Sequence, residues 1–482
     1  MNLFIFHRDL RLNDNTTLIE MIKKYKKVIP IFIFHKDQID EKKNKYFSNN
    51  SVQFMIESLK ELAMEIKKYN GKLYFYYGDN IKVIEEIIKN NIINSIGFNY
   101  DYTPFAKKRD TDIINIINKN KLNVIVKEDY ALYDVLNNQT TKSNNEPYMV
   151  YTPFKRHCMT NLEVREVDKF NKFNNAFEKS KSLENKYSID IKEIDRFYNY
   201  NENTNMLSLK AIKNCSSFYS DCGRSNGLKI LRNMDNFKNY DKNRDILDYK
   251  TTFLGPHLHF NTVSIREVYY KFVEKLGLKS GLINQLHWRD FYINITHFFP
   301  HVLKGQVSGK NKSFRENYDN IKWGTNKNYL EKWKSGNTGI PIVDAGMRQL
   351  NQTGFQHNRC RMICSSFLIK NLNIDWKEGE KYYATKLVDY DPMNNSGGWQ
   401  WSSGGGTDAQ PYFRIFNPWT QAKKFDKDCI YIKRWIPELK DIPNKDILNW
   451  DKKHKDYDVY LKPIVDTTET RNKTIELYKK YL

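Results

Sequence analysis

The strongest constraint on the fold is a change in hydrophobic pattern partway along the chain. In the first 130 residues, short runs rich in β-branched and aromatic residues alternate with amphipathic helical patterns. Five of the runs predict strands, at residues 2–6, 28–34, 72–77, 95–100 and 123–126. Residues 52–69 repeat apolar side chains at three- to four-residue spacing, as a crossover helix covering a parallel sheet does. We therefore predict a Rossmann-like, doubly wound α/β domain at residues 1–130.

The rest of the chain follows a different pattern. Residues 131–205 are rich in Asn, Lys and Ser and poor in periodicity, which predicts an interdomain linker with local structure. From residue 206 onward strand patterns vanish and helical patterns recur, for example at residues 281–298, 342–350, 359–372 and 378–388. We therefore predict an all-α domain at residues 206–482.

The composition fits a folded chain with ring-lined interiors. Of the 482 residues, 40% are hydrophobic and 14% are aromatic, which allows a large core and argues against disorder as the main state. The net charge is +21, from 78 Lys and Arg against 57 Asp and Glu. Two explanations of this charge stay open: a polyanionic partner such as nucleic acid or an anionic membrane surface, or a compositional bias that also enriches Asn and Ile.

Cysteine usage and hydropathy predict a soluble, intracellular protein. The six cysteines are too few and too scattered for a disulfide framework in a chain of this length. The N-terminal apolar stretch breaks at His7, too early for a signal peptide, and no later run reaches the length of a membrane span. The sequence does not separate cytoplasm from nucleus.

Several common catalytic motifs are missing. No G-x-G-x-x-G follows the first predicted strand, which argues against a nicotinamide dehydrogenase. Serine and cysteine nucleophile motifs, H-E-x-x-H and the P-loop are also absent. His357, Cys360 and Cys364 share one helical face, but a closed zinc site needs four ligands and core packing explains the cysteines better. We therefore predict no metal site.

Two polar segments of the helical part could carry chemistry. Arg359 and Arg361 open an otherwise apolar helical run, so they either pair with carboxylates, the commoner case, or meet phosphate. Residues 389–401 combine two Asp, two Asn, two Gly and two Trp. We interpret residues 394–401 as a flexible turn whose glycines let the backbone approach a ligand and whose tryptophans suit a stacking or redox pocket.

Ordered motifs along nearly the whole chain resemble those of the photolyase and cryptochrome family. They lie at residues 6–15, 152–155, 254–260, 288–292, 354–359, 397–401 and 407–414. Within the family the chain is most similar to the class I cyclobutane pyrimidine dimer photolyases. The resemblance implies FAD in the helical domain and an enzyme, a carbon–carbon lyase, that repairs UV-damaged DNA. Light-excited reduced FAD would pass an electron to a dimer flipped out of the DNA, and the electron would return after the cyclobutane bonds split.

The resemblance also assigns residues to the cofactor. The residues that it places at the FAD phosphates are Tyr240, Thr251, Thr252, Phe253, Leu254 and Gly255. Those that it assigns to holding the folded cofactor are Arg289, Arg361, Asp389, Tyr390 and Asp391. Asn395 would face flavin N5, the atom that decides which redox state is stable. Because plant cryptochromes carry Asp at this position, Asn395 favours a repair enzyme that works with fully reduced flavin.

Further residues are assigned to electron transfer and to DNA. The tryptophans implied to relay an electron from the surface to the flavin are Trp323, Trp376 and Trp399. The lesion pocket would be walled by Trp288 and Trp401 and lined on one side by Asn358, Arg359 and Met362. The residues implied to face DNA phosphates are Arg244, Arg414 and Gln421.

Three positions bear on which lesion is repaired. Enzymes for the 6-4 photoproduct carry histidines where this chain has Asn358 and Met362, because their reaction needs a proton as well as an electron. The absence of histidine there favours the cyclobutane dimer. Gln285 points the other way, since cyclobutane dimer enzymes typically carry Glu and 6-4 enzymes Gln at this position. We expect retained but less efficient or altered repair, because the amide can donate a hydrogen bond but shares no acidic proton.

Three further expectations concern alternatives and partners. A 6-4 photolyase and a cryptochrome-type photoreceptor remain the alternative functions, although the short segment after residue 418 favours repair. Ala106 stands where folate-binding relatives often have a glutamate, so a second antenna chromophore is left open between an 8-hydroxy-5-deazaflavin type, a folate bound differently, and none. We expect a monomer that binds UV-damaged DNA and no membrane.

Overall fold

The computed structural model describes residues 1–199, 222–303 and 311–482. These residues form two compact units: the first comprises Met1–Asn236 and Phe253–Pro300, and the second comprises Phe237–Thr252 and His301–Leu482. The boundary predicted between residues 205 and 206 lies outside the described residues. The three domain ranges given above therefore stay predictions.

A six-stranded sheet forms the centre of the first unit. Its strands are β1 (Asn2–Phe6), β2 (Ile29–His35), β3 (Tyr74–Gly78), β4 (Ser95–Asn99), β5 (Asn123–Lys127) and β6 (Ser188–Ile189). The strand order is β5-β4-β1-β2-β3-β6, and every neighbouring pair is parallel except β3 and β6. The five predicted strands and the doubly wound arrangement are confirmed. The two-residue edge strand β6 was not predicted.

Apolar side chains on the strands and the crossover helices form the core of this unit. Every residue of β2 is buried, as expected for a strand covered on both faces of a parallel sheet. Leu3, Ile31 and Ile96 from three neighbouring strands pack in one cluster with Ile84 and Ile113 from helices. The alternation of strand and helix patterns in the sequence thus corresponds to a sheet with helical layers.

The other regular elements of the described residues are helical. In chain order they are α1 (Thr16–Tyr25), α2 (Lys36–Ile39), α3 (Asn49–Lys68), α4 (Asn80–Asn90), α5 (Pro104–Lys119), α6 (Tyr151–Asn161), α7 (Arg224–Arg232), α8 (Tyr240–Asn243), α9 (Gly255–His259), α10 (Ile265–Leu276), α11 (Gly281–Phe298), α12 (Lys327–Ser335), α13 (Pro341–Thr353), α14 (Asn358–Lys370), α15 (Trp376–Lys386), α16 (Pro392–Ser403), α17 (Pro418–Phe425), α18 (Ile430–Trp435), α19 (Asn444–Ile447), α20 (Trp450–Lys453) and α21 (Thr467–Tyr481).

The second unit is helical, as the sequence pattern predicts. Within residues 237–252, 301–303 and 311–482, no strand longer than an isolated bridge occurs. Helices α13 to α16 pack against their neighbours in sequence, which brings residues 341–403 into one bundle. Across the described ranges, no helix has the length and apolar composition that crossing a lipid bilayer requires.

One local prediction is wrong. Residues 394–401, interpreted as a flexible turn, lie inside helix α16. The Asp391 side chain caps the helix, Pro392 occupies its first position and Gly404, with φ of 95°, ends it in a left-handed conformation. These start and stop signals outweigh the low helix propensity of the two internal glycines.

Candidate functional site

Arg361 and Asp389 form an ion pair in the second unit. Arg361 lies in the first turn of α14, and its Nη2 atom is 3.1 Å and 3.2 Å from the two carboxylate oxygens of Asp389. Its Nε atom donates to the Gln356 carbonyl at 2.9 Å. Both charged side chains are partly exposed, at 27% and 15%. Of the two partners predicted for this arginine, the structure shows the carboxylate. The guanidinium is also partly exposed, so a ligand can reach it.

The side-chain amide of Asn395 is oriented by Glu380. Its Nδ2 atom donates to the Glu380 backbone carbonyl at 3.0 Å and to the Glu380 Oε1 atom at 3.1 Å. Because a backbone carbonyl can only accept, the amide NH₂ must face Glu380, and Asn395 Oδ1 is left as an acceptor for another group. Burial raises the pKa of Glu380 to about 8, so the carboxyl is neutral near pH 7.

Asp391 positions Asn395 through the helix that it caps. The Asp391 Oδ1 atom accepts from the backbone N–H of Asn394 at 3.0 Å and from its side-chain Nδ2 at 2.9 Å. A carboxylate at this end is also favoured by the helix dipole. Asn395 follows in the first turn of α16, partly buried, and the neighbouring Tyr390 is partly buried as well.

In the first unit, helix α11 carries an exposed glutamine one turn before a stacked tryptophan. Gln285 is exposed and Trp288 is partly buried. The ring of Tyr151, the first residue of α6, lies parallel to the Trp288 indole, with the ring centroids 3.7 Å apart and an angle of 7° between the planes. One face of this indole is therefore covered by a protein ring.

Arg289, the next residue of α11, is buried in the same unit. Its guanidinium lies 3.7 Å from the centroid of the Tyr130 ring. Its Nη1 atom donates to the Tyr130 carbonyl at 2.7 Å, and Nη2 donates to the Leu258 carbonyl at 3.3 Å. Three protein contacts thus hold this arginine, which was predicted to bind the cofactor.

The start of α14 brings the predicted lesion-side residues into one helical turn. Asn358 is exposed, and Arg359 and Met362 are partly buried. His357 caps this turn, because its Nδ1 atom accepts the Arg359 N–H at 3.2 Å. Burial lowers the pKa of His357 to about 4, which keeps the imidazole neutral and able to accept. Arg359 Nη2 donates to Asp245 Oδ1 at 2.8 Å, which fixes the arginine.

Comparison with known proteins decides the family. Residues 2–172 match the family model described as DNA photolyase, and residues 282–480 match the model of the FAD binding domain of DNA photolyase. The chain is 34% identical to the deoxyribodipyrimidine photo-lyase of Buchnera aphidicola from Acyrthosiphon pisum, over 99% of this chain and 97% of that protein. The chain belongs to the DNA photolyase family. The Escherichia coli deoxyribodipyrimidine photo-lyase is 30% identical over 98% of this chain and 97% of its own length.

Solved structures of photolyases have the same fold. The archaeal photolyase from Sulfolobus tokodaii, whose structure contains two FAD molecules, superimposes with a TM-score of 0.84 at 36% identity and covers 100% of both chains. A bacterial class III photolyase from Agrobacterium tumefaciens superimposes with a TM-score of 0.87 at 28% identity, over 100% of this chain and 97% of that chain. These structures confirm the prediction of an α/β domain followed by a helical one.

The residues of the second unit fit the FAD of a photolyase. Asn395 Oδ1 provides an acceptor, and the Arg361–Asp389 pair provides both a donor and an acceptor at a partly exposed position. Gly398 is exposed, and a Cβ atom built on it meets no other atom within 4 Å. The backbone of α16 beside Asn395 is therefore open to close approach by a flat ligand.

The predicted phosphate-binding residues lie where the photolyase chain passes from one unit to the other. Tyr240, Thr251 and Thr252 belong to the second unit, and Phe253, Leu254 and Gly255 belong to the first. Phe253 has φ of 54°, which bends the chain just before the short helix α9 begins. Their role at the phosphates stays a prediction.

The three tryptophans of the predicted photolyase relay differ in burial. Trp376 and Trp399 are 1% and 4% exposed, whereas Trp323 is partly buried. Trp399 contacts the rings of Tyr383 and Trp333, with centroids 5.1 Å and 6.0 Å away, and Trp323 contacts Tyr478 at 5.9 Å. In the described part of the chain no ring contact joins two of the three relay indoles. Their burial decreases from Trp376 and Trp399 to Trp323, as a path from interior to surface requires.

A glycine makes room for Trp399. A Cβ atom built on Gly379 of α15 would lie 2.1 Å from Cη2 of the Trp399 indole, a distance no side chain can adopt. Trp399 therefore packs directly on the backbone of α15, the helix that also carries Glu380 and Tyr383. The same helix thus contacts both the Trp399 indole of the predicted relay and the amide of Asn395.

The remaining predicted DNA-binding residues lie at the surface of the second unit. Arg244 and Arg414 are exposed, and Gln421 and Trp401 are partly buried. Such exposure suits contacts to a phosphate backbone, which are made by accessible cations.

Four residues in these photolyase sites were not predicted from the sequence. They are Glu380 beside Asn395, Tyr151 on Trp288, Asp245 beside Arg359, and Trp333 beside Trp399. Glu380 had a readable signal, because it falls on the face of α15 that carries the buried Trp376, Gly379 and Tyr383. A carboxylate at such a position is seldom tolerated without a purpose. The other three depend on contacts between distant segments.

Proposed function

We propose that this protein uses light to split cyclobutane pyrimidine dimers in UV-damaged DNA, with reduced FAD as its cofactor. The observation that carries the proposal is the Asn395–Glu380 pair. Glu380 fixes the Asn395 amide so that Oδ1 is the atom available to the cofactor. An acceptor at this position suits the protonated N5 that the fully reduced flavin carries, and gives no advantage to the oxidised flavin, whose N5 is unprotonated.

The side chains around Asn395 would hold the cofactor and control its surroundings. When bound and reduced, FAD supplies the light-excited electron that opens the dimer and takes it back afterwards. Arg361 would place a fixed positive charge beside the flavin, and Asp389 keeps that guanidinium oriented. The neutral Glu380 adds no negative charge against a reduced, anionic ring.

The residues proposed for the lesion would bind it by stacking and by hydrogen bonds. Trp288 and Trp401 offer indole faces to the extruded bases, and stacking of this kind is tolerant of base identity. Asn358 and Met362 supply no proton donor comparable to a histidine, which favours the cyclobutane dimer over the 6-4 photoproduct. Gln285 is exposed on α11 and can donate its amide to a lesion carbonyl.

Binding to DNA would rest on a few arginines rather than on the whole net charge. Arg244, Arg414 and Gln421 are the proposed phosphate contacts, and Arg359, which Asp245 holds in place, lines the proposed lesion pocket. Because each arginine contact to a phosphate releases counterions, the logarithm of the affinity should fall with the logarithm of the salt concentration by about one unit per such contact. We propose that the protein acts as a monomer.

A second chromophore in the first unit is a further part of this proposal. The Sulfolobus tokodaii photolyase, whose structure contains two FAD molecules, adds FAD to the antenna types left open by the sequence. A folate, a deazaflavin and a second flavin absorb differently. The absorption spectrum of the purified protein therefore distinguishes them.

The test of the proposed function is repair of defined lesions. The purified protein is chemically reduced and mixed with duplexes that contain one cyclobutane dimer, one 6-4 photoproduct or no lesion, in blue light and in the dark. We expect flavin absorption bands and light-dependent repair of the cyclobutane dimer only. Flavin bands without repair of either lesion would reject the enzyme and favour a photoreceptor, and repair of the 6-4 photoproduct alone would reject the lesion assignment.

A further inference from the structure

The stacked pair of Tyr151 and Trp288 in the first unit is unusually close and parallel. A centroid distance of 3.7 Å with 7° between the planes is a face-to-face arrangement. Aromatic pairs in proteins more often adopt offset or edge-on geometries at 4.5–7 Å, about the spacing seen for most other pairs in this chain. Something other than the preference of the two rings must therefore hold them together.

The rest of the Tyr151 side chain supplies that constraint. Its hydroxyl donates to the Asn284 carbonyl at 3.0 Å. In an α-helix the carbonyl of residue 284 also accepts the backbone N–H of residue 288, so Tyr151 is anchored to the same helical turn that carries Trp288. Phe291 lies edge-on to both rings, with centroids 5.8 Å from Tyr151 and 5.7 Å from Trp288. Tyr151 belongs to α6 and is 9% exposed, and its side chain is fixed by these contacts to α11.

Tyr151 closes one face of Trp288, and the Tyr292 ring lies beside the indole, with the centroids 5.8 Å apart and 31° between the planes. The indole is partly buried, and the face against Tyr151 is closed to any ligand. A tryptophan free to rotate about its side-chain bonds would lose that freedom on binding a base, which lowers affinity. A tryptophan already fixed by a stacked neighbour loses less.

We infer that Tyr151 is a positioning residue for lesion recognition, which holds the plane of Trp288 so that its other face is ready to stack on an extruded dimer. The inference rests on the proposed function, because Trp288 is a proposed lesion wall. Tyr151 acts through Trp288 and is not a catalytic residue. Its contribution should appear in the affinity for damaged DNA and not in flavin photoreduction.

The experiment compares three variants of the flavin-loaded protein. Tyr151→Leu removes the stacked ring, and Tyr151→Phe keeps the ring but removes the bond to the Asn284 carbonyl. Tyr74→Leu is the matched control, because Tyr74 is also buried in the first unit, at 5% exposure, and its hydroxyl also donates to a backbone carbonyl at 3.0 Å, that of Ser180. Dissociation constants are measured for one duplex with a single cyclobutane dimer and for the same duplex undamaged.

We expect Tyr151→Leu to weaken binding of the damaged duplex by about 2- to 13-fold, the cost of immobilising one side chain on binding, while binding of undamaged DNA stays unchanged. Tyr151→Phe should remain within about twofold of the parent for damaged DNA, because the ring is retained. Tyr74→Leu should leave the ratio of the two constants unchanged. Flavin photoreduction and the repair rate at saturating DNA should be the same in Tyr151→Leu and the parent.

Three different results would overturn the inference. A parent that binds damaged and undamaged duplexes equally would reject the proposed lesion site, and the role of Tyr151 with it. A parent that prefers damaged DNA, with a Tyr151→Leu variant of the same preference, would reject the role of Tyr151 alone. Equal loss of preference in Tyr151→Leu and Tyr74→Leu would assign the effect to general destabilisation and would also reject it.

Discussion

Trp288 and Trp399 are both tryptophans of proposed function, and their surroundings differ in almost every respect. Trp288 is partly buried on α11, with a parallel tyrosine ring against one face. Trp399 is 4% exposed on α16 and has the rings of Tyr383 and Trp333 at steep angles of 83° and 77°. One indole is partly exposed, whereas the other is enclosed by protein.

The difference teaches how one residue type serves two purposes. Stacking on a base needs an accessible ring face and a fixed ring plane. The Tyr151 ring stacked on Trp288 fixes the plane of the indole. Passing an electron needs neither access nor a bound group, and direct packing on the backbone at Gly379 holds Trp399 in the interior. A substitution at Trp288 should therefore impair binding of damaged DNA alone, and a substitution at Trp399 should impair flavin photoreduction alone.

The largest expected effect is the loss of photoreduction in Trp399→Phe. Phenylalanine fills much of the space but cannot be oxidised transiently as an indole can. We expect light-driven reduction of oxidised flavin to be almost abolished, while chemically reduced protein keeps its affinity for damaged DNA. The measurement is the flavin absorption change in blue light with an external reductant.

Trp333→Phe is the control for that variant. Trp333 is fully buried and its ring lies 6.0 Å from Trp399, but it is not part of the predicted relay. Equal loss of photoreduction in this variant would show that disturbed packing, and not the missing relay indole, causes the effect.

The next largest effect is expected for cofactor affinity. Arg361→Ala removes a charged donor and leaves Asp389 unpaired at the proposed flavin site. We expect the dissociation constant for FAD to rise by about 10- to 100-fold, the worth of one hydrogen bond to a charged group. Equilibrium dialysis of the flavin measures it. Arg348→Ala is the matched control, because Arg348 pairs with Glu438 in the same unit, and a similar rise there would contradict a specific role for Arg361.

A pH effect of intermediate size is expected from Glu380. The pKa of this carboxyl is raised by burial from its usual 4.5 to about 8. Between these values the folded protein keeps the proton and the unfolded chain releases it, so stability falls as pH rises through this window. Glu380→Gln carries no such proton, and its stability relative to the parent should rise by on the order of 3 to 4 kcal/mol from about pH 5 to about pH 8. The measurement is the free energy of unfolding in urea at several pH values. A difference between parent and variant that stays the same across this range would contradict the prediction.

The smallest effect is expected at Gln285, the exposed residue one helical turn before Trp288. Gln285→Glu restores the residue typical of cyclobutane dimer enzymes, and because position 285 is exposed the fold should tolerate it. We expect turnover on the cyclobutane dimer to rise by about two- to tenfold, the worth of one improved hydrogen bond, with photoreduction unchanged. Light-driven turnover of both proteins on both lesions measures it, and identical rates would show that the position is unimportant.

The sequence predicted the large elements because their patterns are local. Helix α11 was placed at its observed bounds, Gly281–Phe298, and the five long strands within one or two residues of theirs. Strand β6 has only two residues and no periodic pattern, so its pairing with β3 could not be read. The glycines at 397 and 398 predict a turn over residues 394–401, but the cap at Asp391 and the proline after it start a helix there.

The candidate site was predictable only where a side chain's partner lies close in sequence or carries a pattern. The arginine at 361 was recognised as needing an anion, but its partner Asp389 lies 28 residues away and no local pattern selects it. Tyr151 and Trp288 are 137 positions apart, and no pattern in either segment predicts that their rings stack. Recognition of the family supplied the roles, and the structure supplied the neighbours that orient them.

The most direct test measures binding and photoreduction in the same preparations of the parent, Trp288→Ala and Trp399→Phe. Each is assayed for its dissociation constant on a duplex with one cyclobutane dimer and for its rate of flavin photoreduction. We predict that Trp288→Ala weakens binding by about 5- to 150-fold, the worth of one base–aromatic stack, and leaves photoreduction unchanged. Trp399→Phe should almost abolish photoreduction and leave binding unchanged. Loss of both properties together in either variant would contradict separate roles for the two tryptophans.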